Sequence, residues 1–237
     1  MNGDPFLSTT YTSVKQQYLF LYPLRNMKVS PLAFSILSFA FTVELFIGTT
    51  AAAPETVLDT SGHKLRTGAK YYILPVLRGK GGGLTVSSSG NDTCPLFVVQ
   101  EKLQVMKGTP VTFTPYNSKR GVILTSTDLN IKSNGTSTTC DKPRVWKLLK
   151  VLTGVWFLST GGVEGKPGVD TVVNWFKIEK AHKGYVLSFC PTMCNCPSVC
   201  NCYTLCRELG LYVGDDGNKH LSLSDQVPSF RVKFKRA

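Results

Sequence analysis

Short apolar runs separated by turn residues recur along most of this chain at intervals of about ten residues, and no helical period of useful length competes with them. Tyr71–Leu77, Leu84–Val86, Leu96–Val99, Leu103–Met106, Val111–Phe113, Val145–Leu149, Val155–Leu158, Val172–Ile178 and Tyr185–Phe189 all have this form. Tyr71, Tyr72, Ile73 and Val76 are aromatic or β-branched and suit a pleated, half-buried surface. Gly81–Gly83 reads as the turn of a first hairpin between Tyr71–Leu77 and Leu84–Val86. Ser87–Pro95 and Gly161–Gly168 are loops by composition. The pattern predicts an all-β domain, a barrel or a sandwich.

The first residues depart from it. Met27–Lys28 is followed by the apolar stretch Val29–Ile47, broken by Glu44, and then by the small residues Thr49–Ala53. A positive start, an apolar core and an Ala-rich exit describe a secretory signal peptide over 27–53, preceded by an upstream extension, 1–26. Pro31, Glu44 and the lack of a following basic cluster argue against a membrane anchor. Residues 54–237 then form the mature domain, long enough for one β core and with no membrane segment left.

The net charge is +12. Residues 1–53 hold Lys15, Arg25 and Lys28 against Asp4 and Glu44, so nearly all of the excess lies in the mature part. The cations are dispersed. In Ser229–Lys235, Phe230, Val232 and Phe234 alternate with Arg231, Lys233 and Lys235, the period of a strand with one solvated face rather than a nucleic-acid stripe. No nucleic-acid partner is expected.

All 8 cysteines follow the signal exit, as in an oxidising compartment. Cys94 and Cys140 stand apart. Cys190, Cys194, Cys196, Cys200, Cys202 and Cys206 crowd together with spacings that a thiolate metal site also uses. In a secreted chain disulfides are the better reading, and no metal is expected. Asn91 and Asn134 open glycosylation sequons in loop-like sequence. Catalysis has little support: there is no G-x-S-x-G, no H-E-x-x-H and no complete phosphate loop, and His63, His182 and His220 are scattered. We expect no enzyme and no cofactor.

Val57, Leu58 and Asp59, then Gly62–His63, Leu65 and Tyr71–Ile73, resemble the opening signature of the Kunitz-type soybean trypsin inhibitor family. The run from Lys64 to Ser87 is most similar to its miraculin-like branch. The resemblance implies a β-trefoil of twelve strands, six in a barrel capped by three hairpins. It implies a Cys94–Cys140 bridge and a Cys190–Cys206 bridge, with Cys194, Cys196, Cys200 and Cys202 forming two more of open pairing. It also implies a substrate-like loop at Tyr116, Asn117, Ser118, Lys119, Arg120 and Gly121. In such a loop a Lys or Arg before the scissile bond enters the acidic pocket of a trypsin-like enzyme. Asn117 stands where that residue falls in the soybean-type inhibitors, and the basic pair comes later, at Lys119 and Arg120. Thr67 occupies the place of an Asn whose amide braces the loop. The function implied is a secreted serine endopeptidase inhibitor, extracellular or vacuolar, in plant defence. The other class is a non-inhibitory protein that binds a carbohydrate or a receptor.

Overall fold

A computed structural model describes residues 53–89, 92–117, 121–135, 140–151, 154–192 and 206–237. Residues 1–52, which hold the expected upstream extension and all but the last residue of the expected leader, lie outside the described residues, as do Asn91, Ser118, Lys119, Arg120, Cys194, Cys196, Cys200 and Cys202. Ala53–Ala237 forms one compact unit. Its strands are β1 (Tyr71–Pro75), β2 (Leu84–Ser89), β3 (Asp92–Gln100), β4 (Val111–Pro115), β5 (Leu129–Ser133), β6 (Val145–Lys150), β7 (Trp156–Gly162), β8 (Lys177–Lys180), β9 (Tyr185–Phe189), β10 (Arg207–Glu208), β11 (Gly210–Val213), β12 (Lys219–Leu223) and β13 (Arg231–Arg236).

Alternation builds the barrel. β1 buries Tyr71 and Ile73, β4 buries Val111 and Phe113, and β13 buries Val232 and Phe234 while Arg231 and Lys235 face solvent. A strand with one apolar face must cover it, and these faces cover one another. β13 pairs with β1, β1 with β4, β4 with β5, β8 with β9 and β9 with β13, all antiparallel. Between β5 and β8 the ladder gives way to one bridge: Leu129 and Phe176 exchange both backbone hydrogen bonds, 2.9 Å each. Inside, the Phe113 ring meets Phe234 edge-on at 5.4 Å. Full burial of such a side chain stabilises by roughly 1.5–3 kcal/mol.

The hairpins β2–β3, β6–β7 and β11–β12 form the cap. Each touches the other two, through Phe97↔Ser159, Ser222↔Phe157 and His220↔Val99. At their meeting point the rings of Phe97, Phe157 and His220, one from each hairpin, contact one another within 4.6–6.1 Å. The all-β trefoil is thus the fold, with the core between barrel and cap.

Several local expectations are corrected. β1 pairs with β13 and β4, so Tyr71–Leu77 and Leu84–Val86 do not form a hairpin. The chain turns at Arg78–Gly79, and Gly81–Gly83 lies beyond that turn with no regular secondary structure. Its glycines serve close approach instead: a Cβ on Gly83 would lie 2.0 Å from the Lys107 carbonyl oxygen. Within the polar stretch read as a loop, Ser87–Ser89 belong to β2 and Asp92–Pro95 to β3. Leu103–Met106 is a turn with Leu103, Val105 and Met106 exposed, because apolar composition alone cannot make a strand without a pairing partner. Val172–Ile178 is split between a 3-10 segment, Val169–Asn174, and the start of β8. Gly161 and Gly162 belong to β7.

Candidate functional site

The β4–β5 pairing aims the candidate loop. Five register pairs, from Val111↔Ser133 to Pro115↔Leu129, carry two stiff strands to the same end of the barrel and release the chain there. Their outer face is clamped by Glu164, which accepts from Thr114 Oγ1 at 2.6 Å and pairs with Lys132 at 3.4 Å. On the same face buried Asn130, the register partner of Thr114, donates to the Asn174 carbonyl and accepts from the Gly165 N–H, at 2.9 and 2.8 Å.

The arm that enters the loop is Pro115, Tyr116 and Asn117. Pro115 is buried and fixes φ. The Tyr116 N–H donates to the Asp128 carbonyl at 2.9 Å, and its half-exposed ring packs edge-on against buried Trp175 at 6.1 Å. The arm that leaves is Gly121–Thr125. Gly121 sits at φ 62°, a left-handed conformation that glycine adopts without a Cβ penalty. Its carbonyl accepts the Thr67 N–H at 3.2 Å. Ile123 donates to Leu65 at 2.9 Å and accepts from Val57 at 3.0 Å, and Thr125 donates to Glu55 at 2.8 Å. Val57, Leu65 and Ile123 are fully buried. The opening residues of the domain are therefore the seat of the leaving arm.

Pro115, Tyr116, Val122, Leu124 and Asp128 frame a recess of about 310 Å³ shared by the two arms. The Asp128 carboxylate, 5% exposed, accepts from the Thr192 N–H and Oγ1, which ties the foot of the loop to the residue two beyond Cys190. Disulfides join Cys94 to Cys140 and Cys190 to Cys206. The first spans 46 residues and encloses β4, the loop and β5.

Thr67 braces the leaving arm with its backbone, whereas its buried Oγ1 finds no partner among the described residues. Asn134 is half-buried, and its Nδ2, the atom a glycan would occupy, donates to Thr112 Oγ1 at 3.2 Å and to the Lys132 carbonyl at 3.1 Å. Asp128, Thr192 and Trp175 were not foreseen. A lone Asp ahead of an apolar strand gives no sign of a partner so far along the chain. His63 and His182 are exposed, and buried His220 belongs to the cap. Among the described residues no group of three or more His, Cys, Asp or Glu could hold a metal ion.

The electrostatics outside the loop are simple. Glu55 raises the Lys180 ammonium above its usual range, mainly by a direct hydrogen bond. In the cap, burial works against the Asp216 carboxylate, but hydrogen bonds from His220 and Asn218 outweigh it and the pKa is lowered to about 2.

Residues 57–236 match the family described as trypsin and protease inhibitors of the legume Kunitz type. The chain is 48% identical over 191 residues to Kunitz trypsin inhibitor 5 of Arabidopsis thaliana, covering 80% of this chain and 89% of that one. It is 42% identical to miraculin of Synsepalum dulcificum, covering 76% and 83%. Among solved structures, a Kunitz type trypsin inhibitor from Cicer arietinum superposes with a TM-score of 0.64 at 33% identity, over 77% of this chain and 99% of that one.

Proposed function

Because the chain belongs to the Kunitz-type family of trypsin and protease inhibitors, whose members are inhibitors rather than enzymes, we propose that it is a secreted serine endopeptidase inhibitor. The β4–β5 connection enters the cleft of the target as a substrate does, with Arg120 or Lys119 immediately before the scissile bond. The observation that carries this reading is the anchoring of both arms, at Tyr116 and at Gly121–Thr125, on opposite sides of the basic pair. A loop held in place before binding loses less conformational freedom in the complex. If the bond is cut, the new amino end stays where it was, and the acyl-enzyme can be reversed.

Arg120 is favoured over Lys119 because it directly precedes the anchored Gly121, whose carbonyl accepts the Thr67 N–H. The cation enters a desolvated pocket opposite a carboxylate, and removing one partner of such a pair costs roughly 2–5 kcal/mol. Arg120→Ala, or Lys119→Ala if that residue is the one, should weaken trypsin inhibition by roughly 30-fold or more. Limited proteolysis at low pH should nick the chain after the same residue. Wild-type protein that leaves trypsin fully active at micromolar concentration overturns the trypsin preference. The likeness to miraculin supports a second reading, a non-inhibitory protein that binds a carbohydrate or a receptor in the same compartment. Saturable glycan binding with trypsin unaffected would favour it. Secretion, to the cell exterior or the vacuole and in a defence role, requires a mature amino terminus between Ala51 and Glu55. Recovery of intact Phe34–Phe46 peptides from the secreted protein contradicts it.

A further inference from the structure

A second site shares no residue with the β4–β5 connection. A cavity of about 440 Å³ opens where the end of β1, the approach to β13 and the β11–β12 hairpin come together. Pro75, Leu77, Leu211, Val213 and Phe230 make its apolar wall. Leu77 and Val213 are 63% and 61% exposed, although both are aliphatic. The volume lies within the range of small-molecule sites, which combine an apolar lining with a few placed polar groups.

The polar groups are one-sided in charge. Lys80, Lys219 and Arg231 line the cavity and, among the described residues, no carboxylate does. None of these three cations has an ion-pair partner among the described residues. Lys219 Nζ donates to the Lys80 carbonyl at 3.3 Å, which holds the two lysine segments together. Gln100 lines the same cavity and is 4% exposed. Its Nε2 donates to the Gly82 carbonyl at 3.1 Å, which fixes the amide's orientation, and its buried Oε1 has no partner among the described residues. A buried acceptor left unpaired is unfavourable, so an arriving donor is rewarded there. Gly81 makes room for this side chain: a Cβ at Gly81 would lie 2.7 Å from Gln100 Cδ. Lys80, Gln100 and Lys219 also line a neighbouring recess of about 330 Å³ together with Lys102 and Glu101, so a polar end has space beyond them, where the cations still outnumber the one carboxylate.

We propose that this cavity binds a small amphipathic anion. Its apolar body, the size of a medium acyl chain or a fused ring pair, lies on the Leu77–Leu211–Phe230 wall. Its carboxylate or sulfonate sits among Lys80, Lys219 and Arg231. A hydroxyl or amide N–H on the same molecule donates to Gln100 Oε1. Exposed ion pairs alone are weak, so recognition depends on all three features together.

The probe is ω-hydroxydodecanoate, titrated into the mature protein by calorimetry beside dodecanoate and the methyl ester of the hydroxy acid. Saturable one-site binding is expected, with the ester weaker by about tenfold because it lacks the charge. The double variant Lys219→Met/Arg231→Met should lose a similar factor. Gln100→Leu should erase the preference for the hydroxy acid over dodecanoate while leaving dodecanoate itself bound. Val213→Glu places a carboxylate at the exposed mouth without disturbing the core, and should weaken the acid about tenfold with near-ultraviolet circular dichroism unchanged. Absence of saturable binding, an ester that binds as tightly as the acid, or indifference to Val213→Glu overturns the proposal.

Discussion

The arm that enters the β4–β5 connection and the arm that leaves it are held by unlike means. Pro115–Asn117 continues a strand pair and is steadied by contacts that include a backbone hydrogen bond at Tyr116 and a ring contact with Trp175. Gly121–Thr125 is laid into the opening residues of the domain by backbone bonds at Thr67, Leu65, Val57 and Glu55, with Ile123 fully buried behind them. Main-chain bonds of this kind do not depend on which side chains the loop carries. The leaving arm can therefore keep its place while the residues ahead of it vary, or while the peptide bond ahead of it is open. Under the proposed mechanism that arm matters for reversal and the entering arm for presentation.

The comparison breaks most completely if the frame around both arms is loosened. The Cys94–Cys140 bridge spans 46 residues, and closing a loop of that length is worth about 4 kcal/mol in the chain-entropy account. The double variant Cys94→Ser/Cys140→Ser should lose about that much unfolding free energy in a urea titration. Both arms should then become sensitive to added protease. A variant within about 1 kcal/mol of wild type would mean that the barrel alone holds the loop.

Next in size is a lesion in one arm only. Ile123→Ala removes a fully buried side chain beneath the leaving arm and should destabilise by about 2–5 kcal/mol. It should also convert inhibition from lasting to temporary, because the cut end escapes. Tyr116→Ala removes a half-exposed ring, and should change stability by less than about 1 kcal/mol while raising the inhibition constant. Equal effects of the two on stability would erase the distinction between the arms.

How far this was readable from sequence differs with the range of the interaction. The strand pattern of β13 is visible because Phe230, Val232 and Phe234 alternate with cations, and a period of two needs no distant information. The partner of β1 is not visible. Its ladder with β13 joins Tyr71 to Arg236, near the opposite end of the domain, and the nearby glycines suggested a hairpin instead. Gly82 and Gly83 looked like turn residues, but what requires them is the approach of the 103–107 backbone, which no local rule reports. The position of the candidate loop came from family resemblance. The seat at 55–67 and the Asp128–Thr192 tie emerge only once the chain is folded, since both join residues far apart in sequence.

The cap supplies a control for this comparison. Asp216 has its carboxyl lowered from 3.8 to about 2 in the folded protein. A group whose pKa falls on folding adds stability above its unfolded value and loses it as pH drops through the folded one. The contribution, at most about 2 kcal/mol because the side chain keeps some solvent access, should therefore vanish between about pH 4 and pH 2. Asp216→Asn should be less stable at neutral pH and should flatten the acid limb of the urea midpoint. Trypsin inhibition at neutral pH should not move, since Asp216 and His220 belong to the β11–β12 hairpin and to neither arm. An unchanged acid limb would remove Asp216 from the account, and altered inhibition would mean that the cap and the arms are coupled.

The smallest effect tests whether the leaving arm's brace can be improved. Thr67 holds the Gly121 carbonyl through its backbone N–H, and its hydroxyl, buried beside the loop, makes no hydrogen bond among the described residues. Thr67→Asn keeps the backbone bond and adds an amide with two donors at the position where the resemblance expects one. A single added hydrogen bond is worth about 0.5–1.5 kcal/mol net, which corresponds to roughly a two- to tenfold gain. The gain should appear as slower release from trypsin and slower cleavage of the loop, because the amide would add a restraint to the loop beside the leaving arm. Thermal stability should change little, since the loop is a small part of the folded unit. If Thr67→Asn stabilises the fold without slowing release, the added amide has found a partner in the domain rather than in the loop. The backbone seat at 55–67 would then be the whole of the brace.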